Sequence, residues 1–244
     1  MWRLLLVFLM LLAGPAGAVE CRNLTVEGNR FTICEVDAAK EELRLFLTRP
    51  DGVLLGKFGA VDALLSGEDK RLAFAMNAGM YHKDRSPVGL FVENGRQAHR
   101  LITSAGPGNF GMLPNGVFCV RKGRADVIES KRFAREKPTC RFASQSGPML
   151  VIDGALHPRF LPDSDSRYVR NGVGSSADGR RVVFAISNNA VTFHEFGRLF
   201  RDVLHLPQAL YFDGNVSRLY APELGRSDAG FVMGPIVGVA EPAD

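Results

Sequence analysis

The stretch "YFDGNVS" at positions 211–217 sets a carboxylate at the end of a short apolar run that begins at Ala209. Such a run reads as a buried strand, and Asp213-Gly214-Asn215 is turn chemistry. Asp213, Asn215 and Ser217 then crowd together, with Arg218 beside them. Three other stretches share the design. "MNAGMY" brings Asn77 to the end of an apolar strand, with Gly79 next to it. "QSGPMLV" places Gln145, Ser146 and Gly147 just before one. "SRYVRNGVG" puts Arg170 and Asn171 at the start of one. Each alone is an ordinary structural turn. Four in one chain suggest a site, because small residues let a ligand approach the backbone closely. Gathered at one sheet edge they make a polar cleft holding a guanidinium, a carboxylate and several amides. That set suits a sugar with an attached phosphate: Arg forks onto phosphate oxygens, while Asp and Asn hold hydroxyls.

The elements that position these residues read as hairpins. "LTVEGNRFTICEV" turns near Gly28-Asn29, "VGLFVENGRQ" at Asn94-Gly95, and "GVFCVRKGRADVIES" at Gly123. "GPMLVIDGALHP" turns at Asp153-Gly154 and "RNGVGSSADGRRVVFAIS" at Asp178-Gly179. "ELRLFLTRP" is a strand ending at a proline, and "GPIVGVAE" is another. "VDALLSGEDKR" has helical spacing at Val61, Leu64 and Leu65. "TFHEFGRLFRDVL" is a helix with Phe193, Phe196, Leu199, Phe200 and Val203 on one face, and Thr192 with Glu195 can form its capping box. Strands and helices do not alternate. The expected fold is therefore α+β: a single domain with a large mixed, mainly antiparallel sheet built from hairpins and flanked by a few helices.

Arg3, the apolar run Leu4–Leu12 and the small residues Ala16-Gly17-Ala18 read as a secretory signal peptide over residues 1–18. The run is too short for a membrane span, so residues 19–244 are expected as one soluble domain, periplasmic or secreted. The formal net charge of +4 is mildly basic. All four cysteines lie after the leader, and an even count in an oxidising compartment points to disulfides. Cys21 and Cys34 flank the first hairpin, which favours the pairs Cys21–Cys34 and Cys119–Cys140.

Several other chemistries fail on context. "GPGNFG" at 106–111 has the letters of a dinucleotide fingerprint, but Pro114 and Asn115-Gly116 follow where a helix is needed. The five histidines lack ligand spacing, no cysteine pair has zinc spacing, and no serine sits in a nucleophile elbow. The segment 121–141 holds eight basic residues against three acidic ones. It reads as a solvated face, with an anionic envelope polymer as the other reading. Aromatic residues do not interleave with it as a nucleic-acid surface requires. No cofactor is called for.

In this order, "NAGMY", "QSGPMLVIDG", "RNGVG" and the Asp-Gly-x-x-Ser of "DGNVS" resemble the phosphodiester glycosidase family over roughly residues 30–240. The family includes the lysosomal enzyme that uncovers mannose 6-phosphate by removing N-acetylglucosamine. This chain is most similar to its bacterial secreted branch. It has Asp213-Gly214-Asn215-Val216-Ser217 where a glycine-rich Asp-Gly-Gly-Gly-Ser is common, and Arg170-Asn171 where Arg-Thr is common. The resemblance implies hydrolysis between a sugar's anomeric carbon and a phosphodiester oxygen, with a carbohydrate or sugar-phosphate as substrate. The leaving group is a phosphate monoester with a second pKa of about 6. It needs less acid assistance than an alkoxide does. Arg170 is then the anion clamp. Asp213 is the carboxylate at the anomeric carbon, as base for water or as stabiliser of the oxocarbenium ion. Asn77, Gly79, Gln145, Ser146, Gly147, Asn171, Gly214 and Ser217 form the substrate-binding set. His82 either shuttles a proton or is a surface histidine. Rival readings are a non-catalytic glycan- or sugar-phosphate-binding protein and a phosphodiesterase that cuts the P–O bond.

Overall fold

The computed structural model describes residues 19–214 and 216–243. The expected leader at 1–18 lies outside the described residues, as does Asn215.

Turn residues fix the hairpins. β1 (Glu20–Val26) and β2 (Asn29–Asp37) join through Glu27 and Gly28, both left-handed at φ 49° and 78°. Cys21 faces Cys34 in this ladder, and the two are disulfide-bonded. β3 (Glu42–Phe46) precedes α1 (Phe58–Ser66), which buries Phe58, Val61 and Leu65. β4 (Lys70–Asn77) follows. β5 (Phe91–Glu93) and β6 (Arg96–His99) turn at Asn94-Gly95, φ 50° and 76°. β7 (Gly116–Arg121) and β8 (Arg124–Glu129) lead into α2 (Ser130–Glu136), a helix that the charge-rich sequence concealed. The Glu129 carboxylate caps it by accepting from the backbone N–H groups of Lys131 and Arg132. The second disulfide, Cys119–Cys140, ties β7 to the segment beyond α2.

β9 (Phe142–Ser146), β10 (Met149–Ile152) and β11 (Ala155–Leu156) come next, then the hairpin of β12 (Asn171–Ser175) and β13 (Arg181–Ser187). α3 (Phe193–Arg198) starts with the expected Thr192–Glu195 capping box and widens into a π turn over Leu199–Val203. β14 (Gln208–Asp213), β15 (Leu219–Ala221), β16 (Arg226–Ser227) and β17 (Ile236–Pro242) complete the chain.

The class is α+β, as expected. The strands divide among three sheets, in the orders β1-β2-β13-β12-β14-β10-β11, β16-β15-β4-β17-β3 and β6-β5-β9-β7-β8. Every ladder among the described strands is antiparallel. The three sheets share one core, in which each contributes rings. Phe74 of β4 lies 4.8 Å from Phe184 of β13, and Phe118 of β7 stands edge-on to Phe184 at 5.7 Å and to Phe212 of β14 at 6.3 Å. β14 is buried on both faces. Leu210 and Phe212 enter the shared core, while Ala209 and Tyr211 pack with Phe196, Leu199 and Phe200 beneath α3. A bulge at Phe212 shifts the β12–β14 register between Tyr211 and Asp213, and both of these residues line one cleft.

Candidate active site

The ends of β4, β12 and β14 are locked together by two buried amides. Asn171 Nδ2 donates to the Asn77 carbonyl at 3.1 Å and to Asn77 Oδ1 at 2.9 Å. Asn77 Oδ1 also accepts from the Arg218 N–H at 2.9 Å, and Asn171 Oδ1 accepts from the Asp213 N–H at 3.1 Å. The Ser217 hydroxyl lies within hydrogen-bond distance of the Val169 and Asp213 carbonyls, at 3.2 and 3.1 Å. Side chains that are wholly buried need such partners, and here the partners come from separate sheets. The lock fixes the backbone of Asp213, whose Oδ1 accepts from the Gly214 N–H at 2.6 Å.

Arg170 lies immediately before β12 and is 1% exposed, which is rare for a guanidinium. Aromatic faces surround it. Its guanidinium carbon is 3.6 Å from the Phe193 ring centroid, 5.4 Å from Tyr168 and 5.5 Å from Tyr211. Nε donates to the Val191 carbonyl at 2.9 Å and Nη2 to the Ser166 carbonyl at 3.0 Å. Nη1 is buried with no hydrogen bond of regular geometry, and the Tyr211 phenol lies within hydrogen-bond reach of the guanidinium. Desolvation lowers the guanidinium's affinity for its proton below the usual arginine value, and the nearby phenols oppose that effect. An arginine keeps its charge under such a shift. The site therefore holds a desolvated cation framed by aromatic rings, with the Tyr211 phenol as its polar neighbour.

Arg170 and Asp213 open into one cleft of ≈ 460 Å³, together with Gly214, Tyr81, Tyr168 and Tyr211. That volume fits a small ligand. Burial and the negative charge of Asp213 hold the Tyr81 phenol in its protonated form beyond the usual range. Burial does the same more strongly at Tyr211, where Asp213 adds to the effect and Arg170 opposes it.

Other members of the expected binding set stand behind this wall. The Gln145 amide is fully engaged: Oε1 accepts from the N–H groups of Leu90 and Ile102, each at 3.0 Å, and Nε2 donates to the Ile102 carbonyl and the Ser130 hydroxyl. Ser146 Oγ donates to the Phe212 carbonyl at 2.8 Å, bracing β9 against β14. Asn77 and Asn171 are held in the lock. Gly79 (φ 124°) and Gly147 serve close packing: a Cβ would lie 2.8 Å from Ser144 Oγ at the first and 2.7 Å from Asn115 Cβ at the second. His82 is an exposed residue of a tight turn, its N–H donating to the Ser86 carbonyl. Conversely, Gly108 and Asn109 of "GPGNFG" line the cleft, as does Ser166. Among the described residues no three His, Cys, Asp or Glu side chains gather as a metal site needs.

The fold is shared with known proteins. The family model for phosphodiester glycosidases matches residues 70–229, and the chain belongs to that family. The matched span contains the amide lock, Arg170 and Asp213. A relative in Escherichia coli K12, the uncharacterized protein YigE, is 32% identical over 216 residues, covering 88% of this chain and 84% of that one. Among solved structures, the catalytic domain of zebrafish N-acetylglucosamine-1-phosphodiester alpha-N-acetylglucosaminidase, auto-inhibited by its pro-peptide, is similar with a TM-score of 0.61 at 10% identity. The match covers 91% of this chain and 81% of that one. A putative exported protein from Burkholderia pseudomallei gives 0.53 at 12% identity, over 86% and 74% of the two chains. At those identities the likeness establishes the fold, and family membership supports a glycosidase-type hydrolase. Both expected disulfides are present, and among the described residues no helix is long and apolar enough to cross a membrane. Both features fit an extracellular or periplasmic protein.

Proposed function

We propose that the chain is an exported hydrolase that cleaves the bond between a sugar's anomeric carbon and the oxygen of a phosphodiester in an envelope or extracellular glycan. The observation that carries this reading is the desolvated Arg170 guanidinium lining the same cleft as the Asp213 carboxylate. A desolvated guanidinium is built to receive an anion, because a phosphate supplies the opposite charge and the charge-assisted hydrogen bonds that burial took from water. The adjacent carboxylate would repel a phosphate but favours an electron-poor anomeric carbon. Bound in that order, substrate places its phosphate at Arg170 and its sugar at Asp213. As the C–O bond lengthens, the phosphate gains charge beside the cation and the sugar gains positive charge beside the carboxylate. The site thus matches the transition state more closely than the ground state.

The test is turnover and binding of sugar-1-phosphodiesters by Asp213→Asn and Arg170→Ala. Asp213→Asn should lose nearly all turnover while affinity stays within a few-fold, since the amide keeps shape but not charge. Arg170→Ala should weaken binding and rate together. A folded Asp213→Asn protein with unaltered turnover removes the carboxylate from the mechanism. Binding without cleavage by the unmodified chain would make it a glycan-binding protein.

A further inference from the structure

Tyr211 is a polar group of the cleft to which the mechanism above gives no role. It precedes Asp213 by two residues on β14, lines the same cleft, and is 1% exposed. Its ring stands edge-on to Phe193, with centroids 4.8 Å apart. Gly214 marks where the hydroxyl lies: a Cβ at that position would be 2.1 Å from the phenol oxygen. Only the missing side chain of Gly214 leaves room for the hydroxyl, against the backbone that carries Asp213. The phenol thereby lies against Gly214, within hydrogen-bond reach of Arg170, and it feels the charges of both Arg170 and Asp213.

We propose that Tyr211 is a further catalytic residue, whose phenol donates a hydrogen bond to the phosphate oxygen departing from the anomeric carbon. The inference rests on the function proposed above. In the step, the C–O bond breaks and its electron pair goes to the phosphate oxygen. Water adds to the anomeric carbon and releases a proton to the Asp213 carboxylate. The phenol keeps its own proton throughout. A phosphate monoester with a second pKa of about 6 leaves as an anion, and a phenol that burial holds above the ordinary value of about 10 hydrogen-bonds it without protonating it. The bond strengthens as charge develops, which is the property that accelerates the chemical step. The Arg170 guanidinium is left to hold a non-bridging oxygen.

The experiment is steady-state kinetics of Tyr211→Phe, Gly214→Ala and the double variant on aryl and alkyl phosphodiesters of one sugar. Tyr211→Phe keeps the ring and should lower kcat about 100-fold with little change in KM, as removal of one transition-state donor does. The loss should be greater for the alkyl esters, whose phosphates are poorer leaving groups. Gly214→Ala pushes a methyl into the hydroxyl's place and should lose a similar factor. In the Tyr211→Phe background, where the hydroxyl is gone, Gly214→Ala should add little further loss. A folded Tyr211→Phe protein with unaltered kcat overturns the inference while the proposed function stands. Unaltered kcat in Gly214→Ala overturns it independently, should Tyr211→Phe fail to fold. If the wild type cleaves no sugar phosphodiester, the proposed function falls and the inference with it.

Discussion

The Arg170 guanidinium carbon lies 3.6 Å from the centroid of the Phe193 ring, a direct stack of cation on aromatic face. Phe193 opens α3, and the residue two before it, Val191, accepts the Arg170 Nε–H. The capped start of one helix thus fixes the plane of the cation at the wall of the cleft.

Phe193→Leu should therefore act on substrate affinity. The variant keeps apolar bulk but removes the ring face, and a desolvated cation–π contact contributes about 2 kcal/mol. KM for sugar phosphodiesters should rise about tenfold or more, with a smaller change in kcat. Phe193→Tyr, which keeps the face, should behave like wild type. Equal loss in both variants would mean that the stack does not position Arg170.

The amide lock should show in stability. Asn171→Ala removes the acceptor of the Asp213 N–H and the donor to Asn77, all buried. Each orphaned group costs about 1–3 kcal/mol, so urea unfolding should report a loss of at least about 2 kcal/mol. A value near zero would show that water replaces the amide and that the three strand ends are not held by it.

How much of this was legible in the sequence depends on how local the cause is. Asn94-Gly95 and Asp153-Gly154 announce their turns because both residues of each pair adopt positive φ. The Thr192–Glu195 box announces α3 for the same reason: cap and partner are three residues apart. α2 escaped because its capping carboxylate, Glu129, ends a strand and its surface is a run of charges. At the site, Arg170 and Asp213 stood out as charges beside apolar strands. Gln145 carried the same signal, but its partners Leu90 and Ile102 are 55 and 43 residues away. No local pattern separates an amide that faces a ligand from one that holds two loops. Tyr211 was hidden inside an apolar run, where a tyrosine reads as core. Nothing before the fold shows that Gly214 makes room for its hydroxyl.

Removing the second disulfide should cost measurable stability. Cys119 and Cys140 are 21 residues apart, and closing a loop of that length stabilises by about 3 kcal/mol in the chain-entropy picture. The Cys119→Ala/Cys140→Ala variant should unfold at lower urea, and reductant should shift the wild type toward it. No shift in either would show that the strands around β7 hold without the crosslink.

The pH dependence of stability should carry the mark of Glu35. Both of its oxygens accept from Arg181, at 2.7 and 2.9 Å, and this bond lowers the carboxyl's pKa against the opposing effect of burial. The folded pKa lies below the unfolded one. Its contribution is therefore complete above the ordinary carboxylate range and is lost as pH falls through the folded value. Glu35→Gln should flatten the acid limb of a stability-against-pH curve while the neutral region shifts by a constant. An unchanged acid limb would assign that slope to other carboxylates.

Cleavage of a sugar-1-phosphodiester in water enriched in oxygen-18, followed by mass spectrometry of both products, is the most direct test of the site's chemistry. Attack at the anomeric carbon opposite the Arg170-bound phosphate is expected to put the heavy oxygen into the free sugar, with unlabelled phosphate monoester released. Label in the phosphate, whether the products are sugar phosphate and alcohol or free sugar and the other monoester, would mean that a P–O bond is cut and would contradict the assignment of Asp213 to the anomeric carbon.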